Sequence, residues 1–368
     1  MRTVRRLLYA DIVSAVAFVS LAFLALFYFI DLVDELGSIG QRGYTALHAI
    51  LYSLLLAPGH LYELLPLMVL IGAIYALARL AHSSQYTILR TGGLGPGRAL
   101  GLLGGLALIF GATTFIVGDY LAPISENIAS QVRAGFRGSL KLERSGAWIR
   151  EHADTPAGER NYSINVGSAG AGSVLRQVRI FEFDADGRLL SRTSAAEAKV
   201  HNDGRWTLSD VVVTRWKEAG VESTARQERL DRLDWKSSLS PKVVAAAVLP
   251  VTTMSTVELW RYIAHLNENE QTAQVQKIQF WKRALYPFAC FVMIALALPF
   301  AYLSARSGGV SLKVFVGIML GVSFVLVNNV FRHLGLLGNW TPWIVAAAPG
   351  ALYLMASLAA FVWLVRYR

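Results

Sequence analysis

The sequence runs as a few long apolar stretches separated by short polar breaks. Six of them, at about 10–33, 60–81, 99–120, 283–304, 312–331 and 342–365, are long enough to cross a bilayer as helices. Roughly 20 apolar residues rising about 1.5 Å each cover about 30 Å of hydrocarbon. The first stretch outruns the apolar core of a signal peptide, and no small-residue cleavage site follows it, so it is expected to remain as a span. A shorter apolar piece at 44–58, "YTALHAILYSLLLAP", leaves room for a re-entrant or interfacial helix before span two.

Residues 121–276 break this pattern with ordinary soluble composition, which predicts an inserted aqueous domain. Within it, "FDADGRLL" and "VHNDGRWTL" each set Asp-Gly between β-compatible runs, a strong hairpin signal. Along "WTLSDVVVTRW", one parity collects Trp206, Leu208, Val212 and Trp216, with Asp210 the exception, and predicts a half-buried strand. Six to ten antiparallel strands over 139–237 are expected, built as a sandwich or a curved open roll. Ser255 followed by Glu258 is a capping box, and Leu259, Tyr262, Ile263 and Leu266 follow at helical spacing. A short amphipathic helix at 256–267 should therefore precede span four.

Composition agrees with the pattern: 54% hydrophobic and 16% charged residues are too few charges to solvate a globule of 368 residues. Residues 121–275 hold 20 Lys/Arg against 19 Asp/Glu, so nearly all of the +10 net charge belongs to the membrane portions. The basic excess thus reports topology and lipid contact, not nucleic acid, which calls for a basic soluble domain. Six spans put both termini on one side. Arg2, Arg5, Arg6, Arg79, Arg90, Arg98, Arg306, Lys313, Arg366 and Arg368 gather there, about two to one over the other side, and mark it as cytoplasmic. The inserted domain then faces a periplasm or its equivalent. The one cysteine, Cys290, falls within span four and is expected to be inert packing.

No constellation for catalysis stands out. The seven histidines show no metal-ligand spacing, and there is neither a Walker lysine nor a nucleophile elbow. "GGLGPG" lacks the strand–loop–helix context of a phosphate loop and reads as a turn. If the protein does work, another subunit supplies the energy. The polar island "AHSSQYTILRTGG" between spans two and three is longer than a simple connector needs. "SSQYTILR" can form a surface helix that "TGGLGPG" ends, and spacing alone serves a solvated connector and a docking helix equally. The acids Asp31, Asp34, Glu35 and Asp119 sit at span ends and read as hydrated termini. Asn328 and Asn329 within span five suit interhelical hydrogen bonds. Arg133, Lys282 and Arg283 lie where spans meet the outward domain, a place that suits lipid phosphates.

In order and spacing, "LLPLMVLIGAIYALARLAHSSQYTILRTGG", "GDYLAPISENIASQVR", "SGAWIREH", "MSTVELWRYIAHL" and "KRALYPFACFVMIALALPF" resemble the LptF/LptG permease family of lipopolysaccharide exporters, nearer its LptG type, over almost the whole chain. The resemblance implies an α-helical membrane protein of six transmembrane helices with an inserted antiparallel β jelly-roll-like periplasmic domain. Its parts would be spans one to three at 1–120, the periplasmic domain with flanking helices at 121–276, and spans four to six at 277–368. It also implies an inner-membrane location in a Gram-negative bacterium. The expected partners are a cytoplasmic ABC ATPase dimer (LptB-like), a homologous permease (LptF-like), a single-span periplasmic bridge protein (LptC-like) and lipopolysaccharide, with no cofactor, no metal and no nucleic acid.

On that footing, residues 83–91 would be a coupling helix seated on the ATPase, with Ser84, Gln85, Tyr86, Leu89 and Arg90 as coupling residues. Gln85 stands where the family usually has an acid, so a charged contact there becomes a neutral, weaker hydrogen bond. The lysines that relatives carry after span one are replaced by Gly37 and Ser38, leaving Arg42 as the nearest base. Lipid contact is therefore expected from Arg133, Lys282, Arg283, Arg42 and Asp34 at the headgroup. Phe27, Ile30, Phe315 and Phe324 would meet acyl chains at a gate formed by spans one and five. The alternative is a non-transporting membrane scaffold that presents a β domain to partners. An ion- or solute-coupled carrier is disfavoured because the acids gather at span ends and not at the midplane.

Overall fold

The computed structural model describes residues 2–40, 43–83, 85–137, 140–141, 147–155, 158–169, 174–201, 204–219, 222–237, 239, 244, 254–268, 273–302 and 309–367. Six helices among them are long and apolar enough to cross a membrane. In chain order the helices begin with α1 (Arg2–Leu36), α2 (Ala46–His82) and the short α3 (Gln85–Thr91). Next come α4 (Pro96–Ile116), a π-helical turn at Val117–Leu121, and α5 (Ala122–Arg137). After the strands follow α6 (Thr256–Glu268), α7 (Gln274–Tyr302), α8 (Val310–Leu337) and α9 (Pro342–Tyr367).

The chain divides into two compact units. One holds Met1–Gly37, Ala49–Glu126 and Gln274–Arg368; the other holds Ser38–His48 and Asn127–Ala273. The apolar piece at 44–58 is no separate insertion, because α2 runs unbroken from Ala46 through Pro58 and Pro66. Between helices in hydrocarbon, association depends on close packing and small residues. Gly72 fits that rule, since a Cβ there would lie 2.7 Å from the Val16 backbone on α1. Helix α2 is the core of the bundle: 72% of its apolar window is buried, against 17% for α1 and 22% for α8. Among the described residues, α1 and α8 therefore keep apolar faces that are largely uncovered.

Seven antiparallel strands form one sheet: β1 (Leu140–Lys141), β2 (Ala147–Thr155), β3 (Gly158–Ala169), β4 (Val174–Phe183), β5 (Leu189–Val200), β6 (Arg205–Ala219) and β7 (Glu222–Lys236). From β2 to β7 each strand pairs with the next as a meander, and β1 shares an edge of β3. Both Asp-Gly hairpins form. Gly187 and Gly204 take φ of +80° and +78°, and the turns close through Asp184 N–H to Arg188 O at 3.0 Å and His201 N–H to Arg205 O at 2.9 Å. Ile164, Val166, Val178, Trp206 and Leu208 are all fully buried. Leu239 and Val244 join this core, and the Tyr162 ring of β3 meets the Trp235 ring of β7 at 5.5 Å although they lie four strands apart, so the sheet curls over its own apolar side.

The curl has a visible cause. Pairing lapses along one row across five strands, at Gly167, Gln177, Ala196, Asp210 and Asp231. Gln177 and Asp210 sit there in the left-handed region, at φ +55° and +50°. The inward parity switches across that row. On β6, Trp206 and Leu208 point inward before it, and Val211 and Val213 point inward after it. The sequence reading that kept Val212 and Trp216 on the buried face is thus corrected: a left-handed residue, like a bulge, resets which side faces in. Helix α6 forms as expected. The Ser255 N–H donates to Glu258 Oε2 at 2.8 Å, the Glu258 N–H donates to Ser255 Oγ at 3.2 Å, and Leu259, Tyr262, Ile263 and Leu266 are buried. Burial pushes the Tyr262 hydroxyl pKa above its ordinary value.

A β-branched residue at Asp210 would add steric strain where Asp tolerates φ > 0 and Gly relieves it. Asp210→Val should destabilise the sheet by about 1–3 kcal/mol relative to Asp210→Gly. In thermal melts of the detergent-solubilised chain the Val variant should melt several degrees lower; equal Tm values would remove the crease as the source of the curl.

Candidate functional site

Helix α3 owes its position to Tyr86. That ring is 2% exposed and meets Tyr302 of α7 edge-on at 5.4 Å, and Tyr302 in turn meets Phe361 of α9 at 5.4 Å. Leu89 is half-buried against the same cluster. The helix stops at Gly93, whose φ of +98° allows the Leu94 N–H to turn back to the Leu89 carbonyl at 3.0 Å. The seven residues of α3 are therefore bolted to the bundle on one side. On the other side Gln85 and Ile88 are exposed, Ile88 to 66%. This alters the sequence reading: Tyr86 is an anchor to its own bundle and not an outward contact, and Ile88, which spacing did not single out, is the exposed apolar side chain. Ser84 lies outside the described residues, as does the side chain of Arg90.

A second concentration of polar side chains gathers where α1, α2, α4 and α7 have their acids and bases. His60 Nε2 on α2 and Asp31 Oδ2 on α1 are 2.8 Å apart, and the Phe27 ring lies 4.9 Å from the His60 ring. Lys282 of α7 is within electrostatic reach of Glu63 and Arg332, and the Tyr286 hydroxyl donates to the Glu63 carbonyl. At the centre Arg283 is almost completely buried, with its guanidinium 5.2 Å from the centre of the Tyr62 ring and 3.9 Å from Asp119 Oδ1. It also donates to the Gly118 carbonyl.

The π-turn explains that last bond. In an i to i+5 pattern the Ala122 N–H serves the Val117 carbonyl. The next donor in the pattern for Gly118 would be residue 123, which is proline and has no N–H. The chain thereby leaves a carbonyl open inside the helix bundle, and Arg283 fills it. Gly118 also has no side chain where a Cβ would strike the Tyr62 ring.

These contacts correct two expectations. Asp119 is no hydrated terminus, because its side chain is 7% exposed and faces Arg283. Arg283 is engaged within the bundle and is not a headgroup contact in this structure. Phe324 is corrected as well: it is 8% exposed, packs edge-on against Tyr353 at 5.2 Å, and belongs to the interior. Ile30 and Phe315 are exposed at 42% and 56%, Phe27 is half-buried, Asp34 is exposed, and Lys282 and Arg133 are half-buried. Arg42 lies outside the described residues. Arg133 and Arg283 fall in different units of the chain. Spacing missed Tyr62, Gly118, His60 and Tyr302; the only local hint was Gly118 five residues before Pro123 in "GDYLAP".

Removing one member of a buried ion pair strands the other, a loss of about 3–5 kcal/mol, whereas replacing both with neutral groups of similar size is far milder. Arg283→Met should therefore lower the Tm in detergent more than the double change Asp119→Asn/Arg283→Met does. A double variant at least as unstable as the single one would show that the pair does not govern this corner.

Comparison with known sequences bears on the chain as a whole. The family described as "Lipopolysaccharide export system permease LptF/LptG" matches residues 6–366. The chain is 27% identical over 335 residues to the lipopolysaccharide export system permease protein LptG of Escherichia coli strain K12, covering 89% of each chain. To LptG of Haemophilus influenzae it is 25% identical over 331 residues, again 89% of each. With that match spanning the six apolar helices and the sheet inserted between them, the chain belongs to the LptF/LptG family of lipopolysaccharide export permeases.

Proposed function

We propose that the chain is the permease subunit of an ABC transporter that draws lipopolysaccharide out of the inner membrane and passes it to a periplasmic bridge. The observation that carries the proposal is the mounting of α3: a short polar helix fixed to the bundle through Tyr86 and Tyr302, with Ile88 and Gln85 left outward. A force applied to α3 reaches α7 and α9 through packed aromatic rings, and close-packed interiors transmit strain. A connector needs no such anchoring.

In this reading α3 docks on a cytoplasmic LptB-like ATPase dimer, and the exposed apolar faces of α1 and α8 meet acyl chains and a homologous LptF-like permease. The gate residues are Phe27, Ile30 and Phe315. Headgroup phosphates are met by Arg133, Lys282 and Arg42, and Arg283 serves the bundle corner instead. The sheet unit lies in the periplasm and delivers cargo to an LptC-like partner. Each methylene taken from the bilayer costs about 0.8 kcal/mol in transfer free energy, so extraction of several acyl chains needs coupling to ATP.

Two substitutions test this. Ile88→Asp puts a charge on the outward face of α3 without touching the core, and should lower lipopolysaccharide-stimulated ATP hydrolysis of the reconstituted complex by tenfold or more. A scaffold would show no change. Arg133→Glu should abolish lipid loading with complex assembly intact, and unchanged transport would discard that assignment.

A further inference from the structure

The outward face of the sheet carries a feature to which the transport reading above assigns no role. Trp148 on β2 is 54% exposed and stacks with Phe181 of β4 at 5.9 Å, 24° from parallel. With Arg150, Ser163 and Phe183 these rings line an open groove of about 360 Å³. Arg192 on β5 lies over the Phe181 ring at 5.9 Å and donates to Ser194 Oγ at 3.2 Å.

Strand register extends the groove into a charged field. Two neighbouring rows of residues cross β2 to β6 and on to β7, one through Trp148 and one through Phe181. The charged residues in those rows are Arg179 and Arg229 in the first, Arg150 and Arg192 in the second. No acid interrupts these two rows; Asp210 and Asp231 stand in the next row, on β6 and β7. Cross-strand aromatic contacts stabilise sheets, and each of these arginines has an uncharged residue directly opposite it. An exposed aromatic platform rimmed by one sign of charge is the composition of a binding surface, and Arg with aromatic rings suits a ligand with flat apolar faces and carboxylate or phosphate groups.

We infer that the outward face around Trp148, Phe181, Arg150 and Arg192 binds an acidic saccharide: sugar-ring C–H faces lie on the two aromatic rings and the sugar's carboxylate or phosphate pairs with the arginines. A groove near 360 Å³ is at the small end of ligand sites, and fits one or two sugar rings, not a folded partner. The inference goes beyond the transport reading and stands apart from it, because sugar binding needs neither ATP nor a second permease.

The test is calorimetric titration of the full chain in detergent with trigalacturonate, with neutral maltotriose, sodium phosphate and hexaglutamate as comparisons. Trigalacturonate should bind, and both Trp148→Ala and the surface double change Arg150→Gln/Arg192→Gln should weaken it at least tenfold. Absence of trigalacturonate binding overturns the inference. So does equal binding of maltotriose, of phosphate alone or of hexaglutamate, which would reveal a plain sugar, anion or acidic-peptide surface. Lipopolysaccharide and its lipid-free polysaccharide separate the sources of the sugar: both should bind and both should respond to Trp148→Ala. If only the intact glycolipid binds, and Trp148→Ala leaves it unchanged, the ligand is held by its acyl chains elsewhere and the inference fails. Ile88→Asp, which disables the transport reading, should leave sugar binding intact.

Discussion

Inside hydrocarbon a backbone carbonyl has no water to turn to, and most of this molecule can be understood from how it meets that constraint. The spans do so by being helical throughout. Where α4 passes through its π-turn and Pro123 withholds a donor, the helix itself fails to satisfy Gly118, and a side chain from α7 makes up the deficit. That one bond fixes Arg283, Arg283 holds Asp119 and lies over Tyr62, and the absence of a side chain at Gly118 lets Tyr62 approach. A local backbone irregularity thus ties three spans together. A mid-helix π-turn often marks a functional place, and here it anchors the corner of the bundle where acids and bases concentrate.

The same separation between what is fixed and what is left open runs through the membrane unit. Helix α2 is sealed within it, while α1 and α8 present long apolar faces that the described residues leave largely uncovered. At the polar break between the second and third spans the division is drawn within seven residues, with Tyr86 inward and Ile88 outward. Rigid attachment on one side and a free face on the other is what a lever requires. A helix loosely tethered at that place would absorb displacement instead of passing it on.

Much of this was legible in the sequence because the signals were local. Asp-Gly between β-compatible runs fixed both hairpins, Ser255 with Glu258 fixed the start of α6, and apolar length fixed the spans. What escaped was of three kinds. Asp119 and Arg283 are 164 positions apart, and nothing at either place announces the other; alone, Asp119 reads as a hydrated span end and Arg283 as a headgroup contact. Phe315 and Phe324 sit on one helix that is apolar all round, so periodicity could not say which faces inward; packing against Tyr353 decides it. Parity on β6 failed for a third reason. A residue at φ +50° looks like any other Asp in the sequence, yet it exchanges the faces of every residue after it.

The account depends on α3 and the sheet lying on opposite sides of the membrane, with α3 on the side where ATP is. The most direct measurement uses a Cys290→Ser background with one new cysteine, at Gln85 in one variant and at Gly187 in another, probed in intact cells and in permeabilised cells with a maleimide that cannot cross the inner membrane. Labelling of the Gly187 variant from outside and of the Gln85 variant only after the inner membrane is opened is the predicted result. Labelling of the Gln85 variant from outside would contradict it, because no cytoplasmic ATPase could then act on that helix.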